Sequence, residues 1–282
     1  MGVVLTPELR CTVRGCTGAL VRDEAQLRCP SGHAFDRGRE GYWNLLQPQD
    51  RRSLKSGDSD DAVLARRRWL ARGFADGLAI ELSSRIEAAR LPQGAVAVDV
   101  GCGEGTLTAQ LFASRAVSGC GIDLSTKAIR LAARLEPALT WIVANADRGL
   151  PFADGSVQLA LSIFGRRPMS ELHRALAPSG TLFVVVPAED DLLELREASQ
   201  GEGVRRDRVS DLLAELAPGF DLAGRATWRH RARHDREALN DALAMSYRGA
   251  RASERERLTF VSELDVTLAA EILALVPRVG VR

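Results

Sequence analysis

The stretch that most constrains this chain is AVAVDVGCGEGTLTAQ, residues 95–110. Its first six residues are apolar except for Asp99, which predicts a strand buried on both faces. The strand runs directly into three glycines spaced G-x-G-x-G, and then into a helical pattern. Glycines at a strand end permit a sharp turn and let a ligand approach the backbone closely. Further apolar runs follow: GCGID ending at Asp123, LTWIVANA (139–146), SVQLALSIF (156–164) and GTLFVVVP (180–187). Helical patterns lie between them, as at 125–136 and 169–177. This alternation predicts a parallel sheet with helices on both faces, and a ligand beyond the carboxyl ends of the strands.

The loop differs from the dinucleotide fingerprint G-x-G-x-x-G. Candidate cofactor residues are Asp99, Gly101, Cys102, Gly103, Glu104 and Gly105, with Thr106 and Leu107 opening the helix. Asp123, followed by Leu124, ends the next strand, where a carboxylate can accept hydrogen bonds from a ribose diol. Asn145 and Ala146 end the third, where an amide and a backbone N–H can read an adenine edge. The combination resembles the class I S-adenosylmethionine-dependent methyltransferases. That resemblance implies a Rossmann-like α/β sheet in which Asp99 and the glycine loop hold the methionine part of S-adenosylmethionine and Asp123 holds its ribose. Pro151-Phe152 and the turn Ala177-Pro178-Ser179-Gly180 also fit, with Ser179 where the family usually has a glycine. The competing readings are a nicotinamide-binding domain or a merely structural glycine turn.

Ahead of the sheet, Cys11, Cys16, Cys29 and His33 follow the pattern C-x4-C-x12-C-x3-H. Thiolates and imidazole suit tetrahedral zinc, and two short ligand pairs on tight turns can converge on one ion. Gly15 sits in the first turn, and Pro30, Ser31 and Gly32 fill the second. The segment between reads as a hairpin bending near Asp23 and Glu24. Four protein ligands leave no open position, so the Zn2+ is expected to be structural. The alternative is a set of buried thiols and a surface histidine. The net charge of +1 over 282 residues excludes a uniformly basic protein, so any nucleic-acid contact must be a local patch. No apolar run approaches the ~20 residues of a membrane helix, and no secretory signal is evident. A cytoplasmic protein with no membrane association is expected.

Over most of its length the chain resembles the bacterial 23S ribosomal RNA (guanine-N1) methyltransferases, a group that includes macrolide-resistance enzymes. The resemblance rests on the zinc pattern, on GHAFDRGREGYWNLL (32–46), on Gly57-Asp58-Ser59 with Ala65-Arg66-Arg67, and on DVGCGEG. It implies a zinc-binding knuckle domain at 1–45, a helical linker region at 46–90 and a methyltransferase domain at 91–282. It also implies a homodimer with a cleft for a hairpin of 23S rRNA. The segment Ser162–Pro168 lies where the target base belongs. Phe164 could stack on a base, and Arg166 or Arg167 could stabilise charge on guanine O6 or contact phosphate. Alternatively Phe164 is core and the arginines form a solvated loop.

Several positions depart from the family: Phe164-Gly165-Arg166 replaces an aromatic followed by Ala-Pro, Phe74-Ala75 replaces His-Tyr, Asp191 replaces a histidine, and Met245-Ser246-Tyr247 replaces Met-Thr-Pro. Basic clusters at 50–55, 66–69 and 224–234 are candidate RNA contacts, the last putting Arg229, Arg231 and Arg233 on one face of a strand; a solvated charged face is the alternative. His173 is read as an ordinary surface histidine and Cys120 as a small apolar strand residue. A methyltransferase for a small molecule and a non-catalytic RNA-binding relative are the competing functions.

Overall fold

The structure is a computed structural model and describes residues 7–23, 26–47, 58–201, 205, 207–246, 258 and 261–278. Glu24 of the expected hairpin bend, the basic cluster at 50–55, Gly57 and Tyr247 lie outside the described residues.

The N-terminal part is a three-stranded antiparallel sheet of β1 (Val21–Asp23), β2 (Gln26–Arg28) and β3 (Ala34–Asp36). Asp23 pairs with Gln26, so β1 and β2 are the arms of the hairpin that the sequence predicts. A short strand, β4 (Trp43–Asn44), then leaves this unit. Helix α1 (Asp60–Leu70) is capped by Ser59, whose hydroxyl accepts from the Ala62 N–H, and α2 (Asp76–Ala88) follows.

The main sheet begins with β5 (Ala95–Val100), then α3 (Thr106–Phe112), β6 (Val117–Asp123), α4 (Thr126–Leu135), β7 (Thr140–Val143), β8 (Val157–Ile163), α5 (Met169–Ala175) and β9 (Leu176–Pro187). It continues with α6 (Leu193–Gln200), α7 (Val209–Leu216), β10 (Phe220–Asp235), α8 (Arg236–Ala244) and β11 (Glu263–Pro277). The strand order is β10-β11-β9-β8-β5-β6-β7-β4. Strands β4 to β9 pair in parallel, and β11 runs antiparallel to both neighbours. The order reverses between β5 and β8, so a crevice opens beyond the ends of these two strands.

Packing explains two local choices. Helix α4 buries Ala128, Ile129, Ala132 and Ala133, and the small side chain of Ala132 lets the cofactor loop approach. A Cβ on Gly105 would stand 2.6 Å from the Ala132 Cβ and 2.7 Å from the Trp141 ring, at a φ of +83°. Only glycine fits there. The turn expected at 177–180 lies inside β9, because Leu176 already pairs with Val157 before a register irregularity carries the strand onward.

The zinc-ligand segment and the large sheet share one core. Leu9, Cys11, Leu27, Cys29, Phe35, Trp43 and Leu45 pack in the same cluster as Val100, Ile122 and Ile142. Polar contacts fix the same junction: β4 pairs with β7, the Arg10 N–H donates to the Pro151 carbonyl, and Glu40 pairs with Arg130 and Arg134 of α4. Among the described residues no helix is long and apolar enough to cross a membrane.

Candidate functional site

Cys11, Cys16, Cys29 and His33 come together, and their ligand atoms all lie within 4.8 Å of one another. The Sγ atoms of Cys16 and Cys29 are 3.8 Å apart. His33 Nδ1 is 3.3 Å from Cys29 Sγ and 3.5 Å from Cys11 Sγ. A tetrahedral zinc with ordinary bond lengths has an S–S edge of about 3.8 Å and an S–N edge of about 3.5 Å. The residues therefore fit Zn2+ in size as well as in kind. They sit on the two turns read from the sequence, with Gly15 and Gly32 both at positive φ.

At the other end of the core, β5 delivers Asp99 and the glycine loop. The Gly101 and Cys102 N–H groups both donate to the Ile122 carbonyl, which ties the loop to β6. Gly101, Gly103 and Gly105 all have positive φ. Cys102 is half-buried, with its thiol against Gly121, and Thr106 and Leu107 form the first turn of α3. Asp123 ends β6. It accepts the Gly103 N–H on Oδ2 at 3.0 Å and the Ser125 N–H on Oδ1 at 2.7 Å. Each oxygen keeps a lone pair for a ribose hydroxyl. Leu124 follows in the β6–α4 turn, and Asn145 and Ala146 follow β7, where the Asn145 Oδ1 accepts from the Asp147 N–H.

Asp99 and Glu104 are each only 2% exposed, yet Asp99 Oδ1 and Glu104 Oε2 have no hydrogen-bond partner. Buried orphan acceptors are costly, and they suit a cationic ligand group. S-adenosylmethionine carries an ammonium and a sulfonium, so these residues fit it. The other Asp99 oxygen accepts from the Thr108 hydroxyl at 2.6 Å, a contact that no sequence motif announces. Burial pushes the Asp99 carboxyl up to about 7, against the Thr108 bond and with help from Asp123 and Glu104. Asp123 is raised by burial too, although the Ser125 and Gly103 N–H groups and Arg66 oppose the shift.

Because the folded pKa of Asp99 is raised, its stabilising contribution is complete below its ordinary value of 3.8 and lost as pH climbs through about 7. A cationic ligand favours the ionised form, so binding below about pH 7 releases a proton. S-adenosylmethionine affinity is therefore expected to rise between about pH 6 and 8, with proton release visible by calorimetry in buffers of different ionisation enthalpy. Asp99→Asn should abolish both effects; a wild-type affinity flat across that range would remove the assignment.

The loop after β8 lies against the glycine loop. A Cβ on Gly165 would stand 2.8 Å from the Val100 carbonyl oxygen, and one on Gly101 would stand 3.2 Å from Gly165 Cα. The family's alanine does not fit this backbone, which accounts for Gly165. Phe164 is 50% exposed and has a φ of +54°, a genuine outlier for a bulky side chain. Arg166 pairs with Asp147 at 3.3 Å, while Arg167 turns back to the Gly165 carbonyl.

The other departures have structural partners. Phe74 stacks on buried His234 at 4.0 Å between ring centroids, and His234 Nε2 accepts from the Trp69 indole N–H. Ala75 is buried at the start of α2. Asp191 accepts from the Ala269 N–H at 2.8 Å, and burial raises its carboxyl to about 6. Two surface expectations change. The arginines of β10 do share an exposed face, but Arg225 pairs with Glu271, Arg229 with Asp190, and Arg233 with Glu263 and Asp265. Acids on β11 and on the loop after β9 lie along that row, so its net positive charge is smaller than the run of arginines alone implies. His173 is half-buried and meets Phe220 edge-on at 5.6 Å, rather than standing free at the surface.

In the sequence Arg66 belongs to the family match Ala65-Arg66-Arg67 and to a basic cluster, and nothing there places it at the cofactor loop. In the structure its guanidinium reaches the cofactor loop. Burial alone would lower its pKa, but Asp58, Glu104 and Asp123 hold it above its ordinary value.

A doubly wound sheet, a glycine loop with orphaned acids beside it, and a Cys3His cluster on the same core define a class I methyltransferase bearing a zinc ribbon. In comparison with known proteins, residues 9–54 match the RlmA N-terminal zinc ribbon and residues 97–180 match a methyltransferase domain. The 23S rRNA (guanine(748)-N(1))-methyltransferase of Streptomyces fradiae is 36% identical over 242 residues, 84% of each chain. Relatives from Micromonospora griseorubida (33% over 262 residues, 86% of each chain) and Bacillus subtilis strain 168 (31% over 252 residues, 86% of this chain and 87% of that one) are provisionally named 23S rRNA (guanine-N(1)-)-methyltransferases, with no position given. This chain belongs to the 23S rRNA (guanine-N1) methyltransferase family. Among solved structures, the YcgJ protein of Bacillus subtilis shares the fold, with a TM-score of 0.52 at 16% identity over 71% of this chain and 98% of that one.

Proposed function

We propose that the protein transfers a methyl group from S-adenosylmethionine to N1 of a guanine in 23S ribosomal RNA. Family membership supports the substrate. The observation that carries the site is the Phe164-Gly165-Arg166 turn, which packs on Gly101 and presents an exposed ring beside the cofactor loop. An aromatic ring held in a strained conformation at a strand end suits stacking on a base drawn out of its helix. When bound, S-adenosylmethionine supplies an electrophilic methyl carbon whose leaving group is a neutral thioether.

The protein's own residues must position the guanine and accept its N1 proton, because N1 is protonated at neutral pH and a poor nucleophile in that form. Arg166 donates to guanine O6 and stabilises the negative charge that develops there as the proton leaves. Asp147, 3.3 Å from Arg166, is the acceptor for that proton. Deprotonated, N1 would present its electron pair toward the methyl group of a donor held by the glycine loop. Asp99, Glu104 and Asp123 with the glycine loop hold the donor, Asn145 and Ala146 meet its adenine, and Zn2+ maintains the ribbon.

In the same reading two copies pair, and ribbon and sheet together hold an RNA hairpin. The shared core supports this by fixing the ribbon at one distance from the donor site. A ribosomal RNA substrate places the protein in the cytoplasm.

The test is methylation of unmodified 23S rRNA by the purified protein, mapped by reverse-transcription stops. One strong stop at a single guanine is expected, and Phe164→Ala should lower kcat/KM by roughly 5- to 150-fold, the range for one lost base stack. Absence of any new stop, with donor turnover on a small molecule instead, would overturn the reading.

A further inference from the structure

The donor site gathers three carboxylates. Asp99 and Glu104 each have a buried oxygen without a partner, and Asp123 ends the neighbouring strand. These suit the cationic groups and the ribose of S-adenosylmethionine. The donor also has one anion, its α-carboxylate, and three acids around it would repel that group unless a cation is supplied.

Arg66 supplies one. It projects from α1 onto the glycine loop, where a Cβ on Gly103 would stand 2.8 Å from its Nη1. It faces Glu104 and Asp123, and its direct partner is Asp58. Its place is set by the docking of α1. Val63, Ala65, Trp69 and Leu70 are buried, Arg68 holds Asp241 of α8, and Arg72 pairs with Asp235 and Glu237. Asp58 is 47% exposed, so the pair it makes with Arg66 gives up little when another carboxylate replaces it. A guanidinium fork matches a carboxylate in two parallel bonds.

We infer that Arg66 binds the α-carboxylate of S-adenosylmethionine, exchanging Asp58 for it when the donor enters. The inference rests on the methyl-donor reading of the glycine loop and is independent of the RNA target. It gives α1 a role in reading the amino-acid end of the donor.

The test is calorimetric titration of the full-length, zinc-loaded protein with three ligands. S-adenosylhomocysteine has the carboxylate; its decarboxylated analogue and 5′-methylthioadenosine lack it. Arg66→Gln should weaken S-adenosylhomocysteine roughly 10- to 100-fold, as loss of a charge-assisted pair does, and leave the other two within about twofold. Arg66→Lys should recover part of the loss, and Arg67→Ala, an exposed neighbour, should change nothing. Equal weakening of all three ligands, or unchanged S-adenosylhomocysteine affinity, would overturn the inference while leaving the donor site intact. Failure of the wild-type protein to bind any of the three would overturn the donor reading itself, and the inference with it.

Discussion

Replacing Cys29 with serine is expected to abolish zinc binding and to unfold the ribbon. Cys29 is buried, and its sulfur is within 3.8 Å of both the Cys16 sulfur and the His33 ring. Structural zinc binding is worth about 10–16 kcal/mol in small zinc domains, as much as the whole net stability of an ordinary domain. Strands β1 to β3 are three residues each, too short to hold the ligand turns by themselves, although Leu9, Leu27 and Phe35 pack on the large sheet. The damage should spread, because Cys29 packs in the same cluster as Val100 and Ile122, and β4 pairs with β7 just before Asn145. Zinc content, the melting curve and donor affinity should therefore fall together in Cys29→Ser. Full zinc occupancy with an unchanged melting temperature would show that the cluster holds no structural metal.

The second large effect falls on the donor. Asp123→Ala removes the acceptor for the Gly103 and Ser125 N–H groups and, in our reading, for the ribose diol. Hydrogen bonds to a charged acceptor contribute about 1.5–3 kcal/mol each, so the Kd for S-adenosylmethionine should rise roughly 100-fold or more. Asp123→Asn keeps a carbonyl acceptor and should lose less. The fold should survive either change, because Gly101 and Cys102 still donate to the Ile122 carbonyl and hold the loop. Calorimetry together with a melting curve decides the matter: unchanged affinity in a folded Asp123→Ala protein would remove the ribose assignment.

How far these sites could be read ahead of the structure varied with the kind of interaction. The zinc set was legible because its ligands come in two short pairs on glycine turns, so local spacing carries the geometry. The glycine loop was legible because a buried strand, a turn and a helix are consecutive in the chain. Asp123 was legible because the end of an apolar run marks the end of a strand. Arg66 was not: it stands in a run of three arginines on a helix far in sequence from Gly103 and Asp123, and nothing in that run says which arginine faces the loop. The pairing of Arg229 with Asp190, and of Arg225 with Glu271, was equally hidden, since the row of arginines is local and its acids lie 39 and 46 residues away. The departures at Gly165 and Asp191 likewise have partners distant in the chain: the Val100 carbonyl leaves no room for a Cβ at 165, and Asp191 accepts the Ala269 N–H.

The sequence by itself determined the strands, the Cys3His set and the glycine loop, because each depends on residues within about one element of one another and on properties that are local: periodicity, ring and thiol chemistry, and the conformational freedom of glycine. The tertiary structure alone decided which charges are neutralised, which carboxylates are left buried without a partner, and that the zinc ribbon is welded to the sheet rather than tethered to it. Those outcomes depend on burial and on contacts between elements distant in the chain, and burial is a property of the packed molecule rather than of any residue in it.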